Sequence, residues 1–464
     1  MDPVSIFSRS DMHARRPALA AASFFLLMTA YYIIRPVRDQ FSGAAGSASL
    51  PRYFGYTLLV MVLLTPLFGW LVTRYSRRLL LTLSYGFFSL CLLGFIPCFG
   101  LHGGQGMATV GLVFFVWTSV FNLFVVALFW SFMADVFSST QAAAHFPLIA
   151  FGGMGGAVLG PWLSGRLVYW LGVPPLLVIS AMALSGALLI LRRMDVAERS
   201  GGTGTGASMG GSIWAGVSHT FRSPFLRNIT LLMLFGDAVG TLAYVMLADY
   251  AKHHLPLLDD RVAFYSHLDL AINLIGAVMQ LSISRWLLMR FGAVWGLMIP
   301  AMINAVLLLG IAMTGTSPCW VAGMAVVPPA VLMVATRSMM YGMTKPASDS
   351  LYTRTSREDR YKSKNFIETT VWRIGDLGIS SGIKALTQAG VGMAGVALLG
   401  SLAAVAGVLT AWRAGHARDL LPVADRPQER DGVSAADTTG SAGDVIGTPM
   451  LASTKYRGRC LVSA

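Results

Sequence analysis

The chain has 464 residues, 55% of them hydrophobic and 12% charged, with a mean hydropathy of +0.62. A soluble domain carries roughly 25% charged residues, so this composition excludes an ordinary soluble globular protein. The formal net charge of +13 does not indicate nucleic acid, because the cations sit in short loops between apolar runs and form no basic stripe with interleaved aromatics.

The first apolar run, 18–37, leads straight into charged residues and reads as a span, not a removed signal. It ends Tyr31-Tyr32-Ile33-Ile34-Arg35-Pro36-Val37-Arg38-Asp39. Arg35 lies about 17 residues, roughly 26 Å, from Ala18, which places it near one boundary of the span. Two readings stand. A long arginine stem can snorkel to the headgroups. Alternatively, Arg35 and Arg38, three residues apart on one helix face, form a guanidinium pair suited to phosphate or carboxylate.

Further apolar runs predict spans at 51–72, 79–99, 107–131, 146–170, 174–191, 228–250, 262–285, 291–313, 319–341, 365–388 and 391–412. Trp117 and Trp130, near the ends of the fourth, fit interface anchors. In the fifth, Gly152, Gly156 and Gly160 recur every four residues, which predicts a bare face for close helix packing, with a phosphate cradle as the alternative. Asn122 and Asn273 are expected as hydrogen-bond donors between helices. The stretch 192–227, with the low-complexity run Gly201–Gly206, reads as a flexible linker. The tail 413–464, poor in apolar residues, is expected to be disordered. The organisation is therefore a six-helix half over 1–191, the linker, a second six-helix half over 228–412, and the tail.

Full charges inside apolar spans cost about 2.5–3.5 kcal/mol each on insertion scales and mark polar pathways. Asp237 falls well inside the seventh span and Asp269 at intermediate depth in the eighth, while Asp249 is close enough to an end to be solvated. Asp237 and Asp269 are candidates for proton carrier or counter-charge to Arg373, or for structural pairing with an arginine of a neighbouring helix. The eleventh span is the least hydrophobic. Its Arg373 and Asp376, at i, i+3, share a face, either as a self-neutralising pair or as a substrate-binding one.

Orientation follows from cations in alternate loops. One side receives Arg9, Arg15, Arg16, Arg74, Arg77, Arg78, the linker, Arg285, Arg290, Lys345 and Arg413; the other receives few, among them Arg38, Arg52, Arg166, Lys252 and Arg261. Both termini are therefore expected in the cytoplasm, with the protein in the cytoplasmic (inner) membrane.

Six spans, a central loop and six more spans make the layout of the major facilitator superfamily. The loop Gly69-Trp70-Leu71-Val72-Thr73-Arg74-Tyr75-Ser76-Arg77-Arg78 resembles that superfamily's G-x-x-x-D-[RK]-x-G-[RK]-[RK], with Thr73 in place of Asp and Ser76 in place of Gly. Ile34-Arg35-Pro36-Val37-Arg38-Asp39 resembles the L-R-x-x-K-D pattern of the ATP/ADP translocase (NTP/NDP exchange transporter) family. Phe129-Trp130-Ser131-Phe132-Met133-Ala134-Asp135 and Phe146-Pro147-Leu148-Ile149-Ala150-Phe151-Gly152-Gly153 are similar to its F-W-x-F-A-N and Y-P-L-x-G-x-G-A segments, and Lys364, Ile367, Glu368, Arg373, Gly375 and Gly378 to its eleventh-span pattern. Thr118 stands where that family carries an intramembrane acid, and Asp376 where it carries lysine. The resemblance implies an all-α membrane protein of about 12 transmembrane helices, a secondary transporter of an anionic solute such as a nucleotide, with Arg35, Arg38 and Arg373 as anion contacts.

The expected protein is thus a non-enzymatic, monomeric carrier without cofactor. The four cysteines, Cys91, Cys98, Cys319 and Cys460, contain no C-x-x-C pair, so no metal site is expected. No G-x-x-x-x-G-K-[ST] motif supplies an ATP-hydrolysing domain. The alternatives are a proton-coupled major facilitator transporter of another small metabolite and a non-transporting membrane protein on the same scaffold.

Overall fold

The computed structural model describes residues 9–101, 105–194, 223–321, 324–355 and 371–420. Most of the expected linker and tail, and Lys364, Ile367 and Glu368, lie outside the described residues. The described chain is helical apart from one short hairpin. The first six helices are α1 (Arg9–Ala45), α2 (Leu50–Arg74), α3 (Arg77–Leu101), α4 (Gln105–Val136), α5 (Ser139–Leu171) and α6 (Val173–Arg193). The last six begin with α7 (Pro224–His254), α8 (Leu258–Phe291, including a π-helical stretch at Met279–Ser284) and α9 (Ala293–Thr314). α10 joins Pro328–Met339, a π-helical stretch Met340–Thr344 and Lys345–Tyr352; α11 (Trp372–Gln388) and α12 (Met393–Gly415) complete the set. Ten of the helices, all but α10 and α11, are long and apolar enough to cross a membrane.

Three sequence expectations are corrected. The first span does not end at 37: α1 continues through Pro36 to Ala45. Proline removes one backbone bond, but Val37 and Phe41 beyond it are buried against neighbouring helices, and that packing carries the helix on. Arg35 is therefore about ten residues, or roughly 15 Å, below the end of its helix and not at a boundary. The tenth span, expected at 319–341, is displaced toward the C-terminus. Cys319–Val321 and Met324–Val326 pair as an antiparallel hairpin, with Trp320 opposite Ala325. The helix starts at Pro328, which with Pro329 suits a first turn whose N–H groups have no helical partner. Trp117 is no interface anchor. Because α4 runs over 32 residues, Trp117 lies mid-helix, stacked on Phe114 and Phe121 at 5.8 and 5.5 Å.

α1 is the centre of the first six helices. It packs on α4, α5 and α6, and α3 packs on α4 and α6. The glycine stripe of α5 makes this possible. A Cβ at Gly152 would collide with the Ala21 carbonyl and one at Gly156 with the Phe25 carbonyl, and at Gly160 it would sit 2.9 Å from the Thr29 carbonyl. The stripe is a helix-packing face, not a phosphate cradle. Motif residues on α4 and α5 complete the joint. Phe129 stacks on Phe24 at 4.6 Å, and Trp130 meets Phe24 and Phe146 edge-on.

In the last six helices α7 packs on α10, α11 and α12, and α9 on α12. The two sets meet through α1 with α7 and α8, α5 with α8, and α2 with α11. Single left-handed glycines, Gly172 at φ 71° and Gly292 at φ 82°, turn α5 into α6 and α8 into α9. Asn273 bridges the sets as expected, donating to the Ala157 carbonyl at 2.9 Å.

Candidate functional site

The intramembrane charges collect into one layer drawn from both sets of helices. On α1, Arg35 Nη1 lies 3.4 Å from Asp269 Oδ1 of α8, and its Nε 3.8 Å from Asp39 Oδ2 one turn on. Arg38 pairs with Asp39 at 2.6 Å and lies over the Phe115 ring at 4.9 Å. Both arginines are 15% exposed and both acids about 5% or less. Snorkelling is therefore excluded for Arg35: its head is held inside the bundle by a carboxylate from the other set of helices.

Asp39 is the hub. Besides two arginines, it accepts from the Tyr244 hydroxyl of α7 at 2.9 Å, and Tyr244 shares a 2.6 Å hydroxyl contact with Ser42. Asp39 stood in the sequence as the end of a span. Only the continued helix shows it to be buried.

On the opposite side of the layer, Arg373 and Asp376 of α11 pair at 3.5 Å, and Asp376 accepts from Thr241 of α7 at 3.0 Å. Asp237 of α7 is 6% exposed and abuts Gly375, where an added Cβ would lie 2.8 Å from Asp237 Oδ2. That oxygen has no hydrogen-bond partner among the described residues. The structure therefore brings Asp237, Arg373 and Asp376 together at the α7–α11 contact, and Asp269 with Arg35 at α1–α8.

Sequence reasoning missed Arg337. It sits about nine residues, roughly 14 Å, into α10, with its guanidinium against Gly240 of α7; a Cβ there would lie 3.1 Å from its Cζ. Counted with it, the described residues of the layer supply four guanidinium groups, Arg35, Arg38, Arg337 and Arg373, and four carboxyl groups, Asp39, Asp237, Asp269 and Asp376. The formal charges balance.

The other motif positions are structural. Thr118 is fully buried and donates to the Phe114 carbonyl at 2.8 Å. In the loop after α2, Arg78 donates to the Arg192 carbonyl at 2.5 Å, tying α3 to the end of α6, while Arg74 is exposed.

Beyond the layer, toward the α1–α2 turn, the two sets of helices are stitched shut. Asp249 is not merely solvated: it accepts from the Ser47 amide at 2.8 Å. Lys252 reaches the Ala45 carbonyl at 3.4 Å, Arg261 reaches Gln40 at 3.4 Å, and Tyr169 donates to Asp260 at 3.2 Å. Together with the Tyr244, Asn273 and Arg35 contacts, these bonds join the first six and last six helices at this end and at mid-bundle. A hydrogen bond to a charged group contributes about 1.5–3 kcal/mol. Tyr244→Phe should therefore raise the population opened at this end roughly tenfold. The check is the thiol-labelling rate of Gln40→Cys, a 1% exposed position, in a background without the native cysteines. An unchanged rate would dissociate Tyr244 from closure.

No family profile matches the chain, and no curated protein matches it in sequence. Solved structures do match in three dimensions. A bacterial homologue of the iron transporter ferroportin, in an inward-facing state, superposes with a TM-score of 0.61 at 15% identity, over 87% of this chain and 100% of that one. A D-xylose–proton symporter gives 0.59 at 12% identity, over 88% and 98%. The nucleoside transporter NupG gives 0.54 at 13% identity, over 88% and 98%. At these identities the likeness speaks for the fold alone, and the chain has the twelve-helix fold of major facilitator transporters.

Proposed function

We propose that the protein is a secondary transporter that moves an anionic solute by alternating access. One observation carries this reading: arginines and aspartates from α1, α7, α8, α10 and α11 converge at mid-depth, across the junction of the two sets of six helices. Ion pairs that only neutralised each other within one helix would not need partners from both sets. In the proposal Arg35, Arg38 and Arg373 contact the anion. Asp269 and Asp237 are the counter-charges those arginines leave or regain as substrate comes and goes, and Asp376 holds Arg373 in place. Rocking of the helix sets exposes the layer to each side in turn, and the stitched α1–α2 end is the closed side.

Within that reading, nucleotide exchange is the outcome implied by the resemblance of Arg35-Pro36-Val37-Arg38-Asp39 and of the α11 segment to ATP/ADP translocases. The charge balance favours the second reading, a smaller anion moved with a proton. A triphosphate would add several negative charges to a neutral layer, whereas a monoanion with a proton on Asp237, whose Oδ2 lacks a partner, preserves neutrality. Proteoliposomes loaded with ADP and offered radiolabelled ATP separate the two. Uptake that requires internal ADP supports exchange; uptake of a small carboxylate or phosphate that follows an imposed pH gradient supports proton coupling. Absence of both would reject the transporter reading.

The proposed location is the cytoplasmic membrane with both termini inside. A reporter fused after Arg413 and one inserted within 192–227 should both report cytoplasm. A signal from the opposite side at either position would overturn the six-plus-six topology.

A further inference from the structure

We propose that Arg337 is the anion-binding arginine of the last six helices, docked against the notch at Gly240 and left free for substrate. The inference rests on the reading of the protein as an anion carrier and adds to it a residue and a device.

Four observations converge. The first is depth: Arg337 lies about 14 Å into α10, at the level of the other charges. The second is vacancy. Arg35, Arg38 and Arg373 each have a carboxylate within ion-pair distance. Among the described residues Arg337 makes no ion pair and no hydrogen bond, although an unpaired intramembrane charge is costly. The third is placement. Arg337 sits on α10, which packs on both α7 and α8, the helices that carry Asp237 and Asp269, yet it makes an ion pair with neither acid. The fourth is the notch. Gly240 is one turn from Asp237 and beside Thr241, and the guanidinium occupies the space a Cβ would need, with Cζ and Nη2 both 3.1 Å from that position.

An arginine on a helix packed against both acid-bearing helices, but bonded to neither acid, has a planar fork of donors available for another acceptor. A carboxylate or phosphate entering the layer is such an acceptor, and bidentate contact suits the guanidinium geometry. Arg35 and Arg337 would then hold the anion from the two sets of helices, and closing on it would couple binding to movement of α10 against α1.

The test uses the full chain in proteoliposomes, with radiolabelled ATP, AMP, phosphate, succinate and lactate as probes. For whichever probe the wild type carries, Arg337→Ala should raise the half-saturating concentration at least tenfold, and Arg337→Lys should recover part of that loss. Gly240→Ala should raise it in the same direction by a few fold, because the new Cβ occupies the docking notch. The double variant Arg337→Ala with Asp237→Asn removes the charge imbalance that Arg337→Ala creates. It should regain wild-type thermal stability while its half-saturation stays raised. A double variant with wild-type half-saturation would make Arg337 a structural counter-charge and overturn the proposal. So would unchanged half-saturation in Arg337→Ala when Arg35→Ala has lost transport, and in both cases the anion reading survives. A wild-type protein that carries none of the five anions overturns that reading and this proposal together.

Discussion

Replacing Arg35 with alanine is expected to abolish transport and to destabilise the protein by about 3–5 kcal/mol, the range for stripping one partner from a buried ion pair. The reason is Asp269, 4% exposed on a different helix, which would keep its charge without its guanidinium at 3.4 Å. The two losses are separable. Arg35→Ala with Asp269→Asn removes the orphaned charge and should restore the melting temperature in detergent without restoring uptake. Arg35→Lys should recover transport only in part, since an ammonium keeps the charge but loses the planar fork. Wild-type uptake by the stably folded double variant would leave Arg35 a purely structural residue.

The second large effect is expected at Gly156. Leucine there places a branched side chain where the Phe25 carbonyl and the Thr29 amide of α1 already lie. Backbone cannot yield as a flexible side chain can. α1 and α5 must therefore separate, and the contact is lost along its length. Overpacking in a well-packed core typically costs 1–3 kcal/mol, and a backbone collision on the central helix should exceed about 3 kcal/mol on that basis. The expected outcome is loss of the monodisperse peak in size-exclusion chromatography of the detergent extract. Gly155→Leu is the control, because its Cβ meets only the Phe25 ring edge at 3.3 Å, and it should remain folded.

Much of the architecture was legible because apolar length and small-residue spacing are one-dimensional signals. The spans of α2, α3, α6, α9 and α12 fall within a few residues of their apolar runs, and the Gly152–Gly156–Gly160 stripe announces the α1–α5 joint. What sequence obscured were places where neighbours override local chemistry. Asp39 and Gln40 look like the polar end of a span, yet they are 3% and 1% exposed because α7 and α8 cover them. The apolar stretch around Trp320 looks like the start of a helix, yet it pairs as a hairpin with Trp320 76% exposed. That shift hid Arg337, which a window centred on 319–341 places near the end of a span where an arginine would attract no notice. For the site itself, Arg35, Arg373, Asp376, Asp237 and Asp269 were visible as charges in apolar surroundings. Their partners were not, because Arg35–Asp269 and Thr241–Asp376 are separated by more than a hundred residues of chain.

The equal count of arginines and aspartates among the described residues of the central layer bears on how the carrier would respond to voltage. A moving charge exchanges about 2.3 kcal/mol with each 100 mV of membrane potential. An unloaded layer of four cations and four anions carries no net charge, so its return stroke is electrically silent and proceeds at the same rate in a resting or an energised cell. A loaded stroke senses the field only in proportion to the net charge of what it carries, so a nucleotide would feel it and a monoanion moved with a proton would not. For a cargo with net charge the membrane potential then acts as a one-way bias on delivery, leaving the resetting of the carrier to thermal motion alone.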